Sequence, residues 1–138
     1  MEKVTIVVHS GDLDRFMSAL IIGNGFLAMG AEVTLYFTFW ALQRLVRGRL
    51  CAAPLSRMNF FGIGAWMMRR KMRKAGVASP GRLLADFRAI GGRVIACEMT
   101  MEIMGIMKQD LDESLIDEFG AVGLYVHETL GASKTLFI

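Results

Sequence analysis

The sequence predicts an α/β fold: a single domain with a mainly parallel five-stranded sheet and helices on both faces. Two observations lead to this prediction. Short runs rich in β-branched residues alternate with helical segments, which is the pattern of parallel strands joined by helical crossovers. The length of 138 residues supports one hydrophobic core but not two. We therefore expect residues 1–138 to form one domain.

The first strand, helix and strand form a βαβ unit. Lys3 to His9 is a nearly continuous β-branched run, typical of a strand buried on both faces. A helix is predicted from about Leu13 to Met29, with Ser10 or Asp12 as its cap. Glu32 to Phe37 is the second strand, and a right-handed crossover is expected to join it to the first.

The middle of the chain is less regular. A short basic helix is predicted from about Ala41 to Arg47. A basic, methionine-rich segment follows at residues 55–75, and we call it the Met-rich segment. It is expected to be an insertion in the domain. Gly62, Gly64 and five cations favour a surface or interface helix over a membrane span.

Further strands and helices complete the predicted sheet. Ser79 is expected to cap a helix from Pro80 to about Ile90. The third strand runs from Arg93 to Ala96, and the start of a helix follows at Met99 to Met104. The remaining strands are predicted at Gly120 to Val126 and, at the edge, at Leu136 to Ile138.

Composition indicates the setting of the protein. The chain is 54% hydrophobic with a mean hydropathy of +0.42, which predicts oligomeric or membrane-adjacent surfaces. No uninterrupted apolar run is long enough for a spanning helix, and the first residues do not resemble a signal peptide. Two cysteines without a C-x-x-C motif do not form a disulfide framework. We therefore expect a reducing, cytoplasmic location.

Charge is distributed unevenly along the chain. No acid occurs between Glu32 and Asp86, whereas this stretch holds ten cations. Acids gather later, in the last third of the chain. Such asymmetry fits an anionic partner, or a basic helix face matched by the acidic face of a neighbouring subunit. Because no nucleic-acid-binding motif accompanies the charge, we expect a homo-oligomer and no nucleic acid.

Cys97 is the main candidate for chemistry. It lies between a predicted strand and a predicted helix, where ligands collect in open α/β sheets. The helix N-terminus carries partial positive charge and unpaired N–H groups, which favour the nucleophilic thiolate. The alternative is a buried structural cysteine, which is common for this residue type.

Three strand ends are expected to converge near this thiol and to form an aromatic-walled pocket. The pocket candidates are His9, Ser10, Gly11, Asp12, Thr38, Phe39, Trp40, Met99 and Thr100. His127, placed after the fourth predicted strand, is a further candidate as a base or hydrogen-bond donor. The alternatives are that the aromatic residues close the core and that His127 is structural.

Other kinds of site find little support in the sequence. Neither a dinucleotide-binding glycine motif nor a P-loop is present, so no nucleotide cofactor is predicted. His9, His127, Cys51 and Cys97 are scattered singly, so we predict no metal site and no other cofactor. Cys51 either resolves an oxidised Cys97, receives sulfur from it, or is incidental.

Four segments resemble a known family: Ser10-Gly11-Asp12, residues 37–40, residues 58–62 and residues 96–105. On these segments the chain resembles the DsrE/DsrF-like proteins, in particular the small DsrE-like or peroxiredoxin-like branch, over nearly its whole length. The resemblance implies an α/β fold around a mainly parallel sheet, often in oligomers, and sulfur trafficking between donor and acceptor proteins. The family cysteine falls on Cys97, and no second cysteine lies beside it.

The leading hypothesis is a sulfur carrier or sulfurtransferase-like protein that holds sulfane sulfur as a persulfide on Cys97. A second hypothesis is a scaffold that docks a membrane face or an acidic partner through the Met-rich segment, with Cys97 merely structural. A third is a thiol redox sensor, which needs a resolving thiol such as Cys51. The sequence names neither the sulfur donor nor the acceptor.

Overall fold

Five parallel strands form one sheet in the computed structural model, which describes residues 1–138. The strands lie in the order β4-β3-β2-β1-β5. They are β1 Lys3–Val8, β2 Glu32–Phe37, β3 Arg93–Cys97, β4 Glu118–Gly120 and β5 Lys134–Phe137. Every neighbouring pair is parallel, and β5 lies at the edge as the sequence predicts. The predicted fold class is confirmed.

Five α-helices connect or flank the strands. They are α1 Leu13–Ala28, α2 Ile63–Lys74, α3 Pro80–Ala89, α4 Glu98–Met104 and α5 Val122–Leu130. Short 3₁₀ helices lie at Phe39–Leu45, Phe60–Gly62, Lys108–Asp110 and Glu113–Leu115. No helix has both the length and the hydropathy needed to cross a bilayer.

The direction of the crossovers explains why helices cover both faces. From β1 to β4 the sheet grows one strand at a time in one direction, and right-handed connections keep α1 and α3 on the same face. The last connection runs back across the sheet to β5 on the other side of β1. The same handedness then puts α5 on the opposite face.

The main core lies between the sheet and the pair α1 and α3. Alternate strand residues such as Ile6 and Leu35 point into it and meet Phe16 and Phe87 from the helices. The Phe87 ring fits closely against Gly92, where an added Cβ would come within 2.4 Å of the ring. The predicted cap of α3 is confirmed, because the Ser79 hydroxyl accepts the Arg82 backbone N–H at 3.2 Å.

The opposite face has a smaller apolar cluster beneath α5. Val7, Tyr36, Ile95 and Cys97 of three neighbouring strands meet Leu124 and Tyr125 of the helix. Polar contacts hold the rest of α5, with Thr129 bonded to Thr5 and Glu128 paired with Arg93. No residue of α5 is fully buried, so this helix is held less firmly than α1.

The predicted fourth strand at Gly120 to Val126 is wrong. The strand β4 ends at Gly120, and Val122 begins helix α5. The apolar run suggested a strand, but Leu124, Tyr125 and Glu128 lie on one helical face and cover the sheet. Their spacing is that of a helix with one buried side.

Two smaller expectations also need correction. The segment predicted as a short basic helix at Ala41 to Arg47 is instead the 3₁₀ helix Phe39–Leu45. Asp12 occupies the capping position of α1, but its side chain makes no capping hydrogen bond. The Ser10 hydroxyl donates to the Asp12 carboxylate at 3.2 Å instead, so neither residue caps the helix by its side chain.

The Met-rich segment contains α2 and lies on the surface. Ala65 is the single buried residue of α2, and Phe61 is fully exposed at positive φ. The expectation of a surface helix agrees with this placement. Whether the segment is an insertion relative to other family members stays a prediction.

Candidate functional site

Cys97 ends strand β3 and occupies the position before the first residue of α4. This confirms its predicted place at the junction of a strand and a helix. The side chain lies on the sheet face that α5 covers, and only 1% of the residue is exposed. The thiol is therefore enclosed in this conformation.

Two buried threonines make a hydroxyl network near the thiol. The Thr38 and Thr100 hydroxyl oxygens are 3.1 Å apart, and Thr100 Oγ1 accepts the Phe39 backbone N–H at 2.9 Å. The hydrogen bond between the two hydroxyls uses only one of their two protons. Whichever threonine donates in that bond, the other hydroxyl proton is free to point to the sulfur.

These donors favour the thiolate of Cys97. Burial is the largest single influence and raises the pKa of the Cys97 thiol, but the nearby donors together outweigh it. These donors are the Tyr36 hydroxyl, the Thr100 N–H and whichever of the Thr38 and Thr100 hydroxyls does not donate to the other, and the net pKa of the thiol lies below its ordinary value.

Tyr36 is well suited to its role as a donor. Burial, the hydrogen bond to Cys97 and the nearby negative charges all raise the pKa of its phenol. The hydroxyl therefore stays protonated throughout the physiological range. Its ring stacks on Tyr125 of α5, with ring centres 5.0 Å apart, and this contact fixes the ring beneath the helix.

Aromatic side chains line the neighbouring strand ends. The ring of His9, which follows β1, stacks on Phe39 at 5.2 Å and lies 5.4 Å from Phe137. The backbone N–H of Phe39 in turn bonds to Thr100. The structure thus brings together the predicted candidates His9, Thr38, Phe39 and Thr100 around the end of the sheet that holds Cys97.

The other predicted pocket residues lie apart from the thiol. Gly11, Asp12 and Trp40 line a separate crevice at the start of α1, and Ser10 contacts it through Asp12. Met99 is half exposed on α4. The predicted single pocket is therefore two neighbouring features: an enclosed thiol and an open crevice.

The prediction for His127 needs correction. His127 lies within α5 instead of following a strand, and its side chain is exposed. Leu124, Tyr125 and Glu128 occupy the face of α5 that meets the sheet. The apolar cluster that contains Cys97 does not include His127.

Cys51 lies in another part of the surface. It is exposed and borders a crevice of about 230 Å³ together with Arg69, Arg73 and Pro80. Both cysteines are free thiols in this structure. No group of three or more histidine, cysteine or acidic side chains comes together in a way that would hold a metal ion.

Tyr36 is a neighbour of Cys97 that the sequence analysis did not single out. It lies inside a strand and reads as part of a buried apolar run. Strand pairing supplies the missing signal, because Tyr36 of β2 pairs with Ile95 of β3. Cys97 lies two residues after Ile95, and side chains two residues apart on a strand share a face. Tyr36 and Cys97 therefore lie on the same side of neighbouring strands.

The fold and the site define a small parallel α/β domain with a thiol at the carboxyl edge of its sheet. Sequence comparison identifies the family. The profile of the DsrE/DsrF/DrsH-like family matches residues 1–52 and 45–137. The chain belongs to this family.

Two curated relatives match nearly the whole chain. The uncharacterized protein YrkE of Bacillus subtilis is 31% identical over an alignment of 157 positions, gaps included, which covers 99% of this chain and 97% of YrkE. The sulfur carrier protein DsrE2 of Allochromatium vinosum is 26% identical over 145 residues, covering 90% of this chain and 91% of DsrE2.

Two solved structures share the fold. The ychN protein from E. coli has a TM-score of 0.64 with 18% identity, and each chain is fully covered. A protein of unknown function from Methanobacterium thermoautotrophicum, MTH1491, has a TM-score of 0.66 with 14% identity and 99% coverage of both chains. At these identities the comparison supports the fold alone.

Proposed function

We propose that the protein is a sulfur carrier that holds sulfane sulfur as a persulfide on Cys97. The Cys97 thiolate attacks the outer sulfur of a donor persulfide. A new S–S bond forms, the S–S bond of the donor breaks, and the donor leaves as a thiolate. With thiosulfate as donor, sulfite leaves instead. Both reactions balance without any added oxidant or reductant.

The observation that carries this proposal is the set of donors around the Cys97 sulfur. Cys97 shares a buried cluster with Tyr36, and the buried Thr38 and Thr100 hydroxyls form a pair near it, so hydroxyl protons are available to lower the pKa of the thiol. A merely structural cysteine needs no such neighbours. A terminal persulfide sulfur also carries negative charge, so the same hydroxyls would stabilise it. The name of the relative DsrE2, a sulfur carrier protein, agrees with this role.

Access to the thiol requires a local movement. Leu124 and Tyr125 of α5 pack against the cluster that contains Cys97, and α5 has no fully buried residue. Displacement of α5 therefore exposes less apolar surface than displacement of α1 would. We infer that donor and acceptor proteins reach Cys97 by displacing this helix.

A sulfur-loading experiment tests the proposal. The reduced protein is incubated with polysulfide or thiosulfate and analysed by intact mass spectrometry. We expect a gain of one sulfur atom that is released by a reductant, retained in Cys51→Ser and absent in Cys97→Ser. Loading that persists in Cys97→Ser would contradict the proposal, as would no loading of wild-type protein by either donor.

A second candidate function is docking to an anionic membrane surface through the Met-rich segment. Large apolar side chains and cations lie side by side there, exposed on the surface of the protein. The exposed apolar residues are Met58, Phe60, Phe61, Ile63, Trp66, Met67 and Met68. Arg70, Lys71, Arg73 and Lys74 follow on α2, and none of them forms an ion pair within the chain. Aromatic residues beside cations are typical of interfacial helices.

Vesicle flotation tests this second function. We expect the protein to float with vesicles that contain phosphatidylserine, and much less with pure phosphatidylcholine, because each cation near an anionic surface adds about 1 kcal/mol. Combined Phe61→Ser and Trp66→Ser changes should abolish flotation. The matched control is Trp40→Ser, which alters an exposed tryptophan away from this segment. Equal flotation of all three proteins would refute membrane docking by this segment.

A further inference from the structure

Arg44 is a buried cation without a counterion. It lies in the 3₁₀ helix Phe39–Leu45 and is 7% exposed. One of its Nη atoms donates to the Arg49 carbonyl at 3.1 Å, but its buried Nε has no acceptor. No carboxylate lies within ion-pair distance of the guanidinium. A buried charge without a partner is costly, so a missing partner is indicated.

The surrounding charges do not supply that partner. Burial and repulsion from Arg49 lower the pKa of Arg44, Asp12 partly opposes this effect, and Arg69 adds to the repulsion. The Asp12 carboxylate instead accepts a hydrogen bond from Ser10. Three guanidinium groups therefore share this region with the Asp12 carboxylate and, in the first turn of α1, with the Asp14 carboxylate, which is bonded to Ser56. The region keeps a net positive charge.

The N-terminus of α1 adjoins the same place and carries unused donors. The Leu13 N–H donates to the Pro54 carbonyl at 2.7 Å, but the N–H groups of Asp14 and Arg15 have no acceptor in the chain. The Asp12 side chain, in the capping position, does not accept them. The first turn of a 16-residue helix therefore presents free N–H groups and its positive dipole end.

A crevice lies beside Arg44 and the residues that lead into α1, although Asp14 and Arg15 themselves do not line it. Its volume is about 140 Å³, and it is lined by Gly11, Asp12, Trp40, Gln43, Arg44 and Pro54. A water molecule occupies roughly 30 Å³ in the liquid, so the crevice has room for a tetrahedral oxyanion.

We propose that this crevice binds a small tetrahedral oxyanion of the phosphate, sulfate or thiosulfate type. The Arg44 guanidinium supplies a planar set of donors suited to such an anion, and the positive end of the α1 dipole lies beside the crevice. The bound anion provides the counterion that Arg44 lacks. Asp12, which borders the crevice, opposes binding and limits its affinity. The inference does not rest on sulfur transfer by Cys97.

Titration with inorganic phosphate tests the proposal. The Cys97→Ser protein is used so that no sulfur transfer contributes, and chloride at equal ionic strength is the reference. We expect a saturable rise in Tm, with an equal effect of thiosulfate, because a ligand that binds only the native state stabilises it. The rise should be lost in Arg44→Met and retained in Arg70→Met, a matched change on α2.

A second variant distinguishes a loss of the binding site from misfolding of the protein. Asp12→Asn removes the opposing charge and should tighten phosphate binding about tenfold, a gain that structural damage does not produce. Binding is followed by the fluorescence of Trp40, which lines the crevice, in a Trp66→Phe background. A failure of both proteins to respond to phosphate and thiosulfate would overturn the proposal and leave ordered water as the occupant.

Discussion

Tyr36→Phe is expected to slow sulfur loading of Cys97 about tenfold at neutral pH. The change removes one hydroxyl that lowers the pKa of the thiol and leaves the ring stacked on Tyr125. A hydrogen bond to a charged group is worth about 1.5–3 kcal/mol, and 1.4 kcal/mol corresponds to a tenfold change in the thiolate population. Loading rates from intact mass spectra, collected across a pH series, measure the effect.

The sign of the pH dependence separates this role from structural damage. Below its pKa, the thiolate fraction falls tenfold for each unit of pH, so raising the pKa in Tyr36→Phe shifts the rate profile to higher pH. At alkaline pH both proteins are fully ionised, and the variant should react at least as fast, because a thiolate of higher pKa is the better nucleophile. A rate reduced equally at every pH would contradict the assigned role.

A control is available on the facing helix. Tyr125→Phe changes the other ring of the same stacked pair, but Tyr125 is not among the groups that donate to the sulfur. It should leave the pH profile in place. Tyr36→Phe is also cleaner than removal of the Thr100 hydroxyl, which would leave the Phe39 N–H without its acceptor as well.

Phe87→Ala is expected to lower the free energy of unfolding by about 3–5 kcal/mol, a large share of the stability of a typical domain. The ring is fully buried between α3, α1 and the turn before β3, where it contacts the positions of Gly23 and Gly92. Its removal leaves a cavity that these glycines cannot fill. Urea denaturation measures the loss, and Phe61→Ala on the surface is the matched control.

A double-mutant cycle tests the packing more directly. Gly92→Ala in the wild-type protein places a methyl group within 2.4–2.6 Å of the Phe87 ring and should be destabilising. In the Phe87→Ala background the same methyl group enters the cavity, so its cost should disappear or reverse. Additive effects of the two changes would show that the ring does not press on Gly92.

Much of the fold follows from local sequence patterns. The β-branched runs of β1 and β2 and the Ser79-Pro80 start of α3 contain their own signals, because burial and capping act on neighbouring residues. The misassigned run after Gly120 shows the limit of such patterns. Its side chains are apolar in either conformation, and only the position of α5 across the sheet selects the helix.

The site was predictable to a smaller extent. The place of Cys97 at a strand end follows from the local pattern, but its burial and its donors depend on which strands are neighbours. Tyr36 is a donor only because β2 lies beside β3. The partnerless state of Arg44 is likewise invisible in the sequence, where it is one of many cations. Both features arise from tertiary contacts between distant segments.

The last crossover returns across the sheet to β5, and this affects how long a persulfide on Cys97 would persist. Because a single weakly held helix separates Cys97 from solvent, a persulfide formed there would be shielded from stray thiols while the helix stays closed. On the proposed function, the retention time of the sulfur would then depend on how often α5 opens. An acceptor that binds the displaced helix would accelerate transfer of the sulfur. The direction of one chain connection would thus decide when the sulfur leaves.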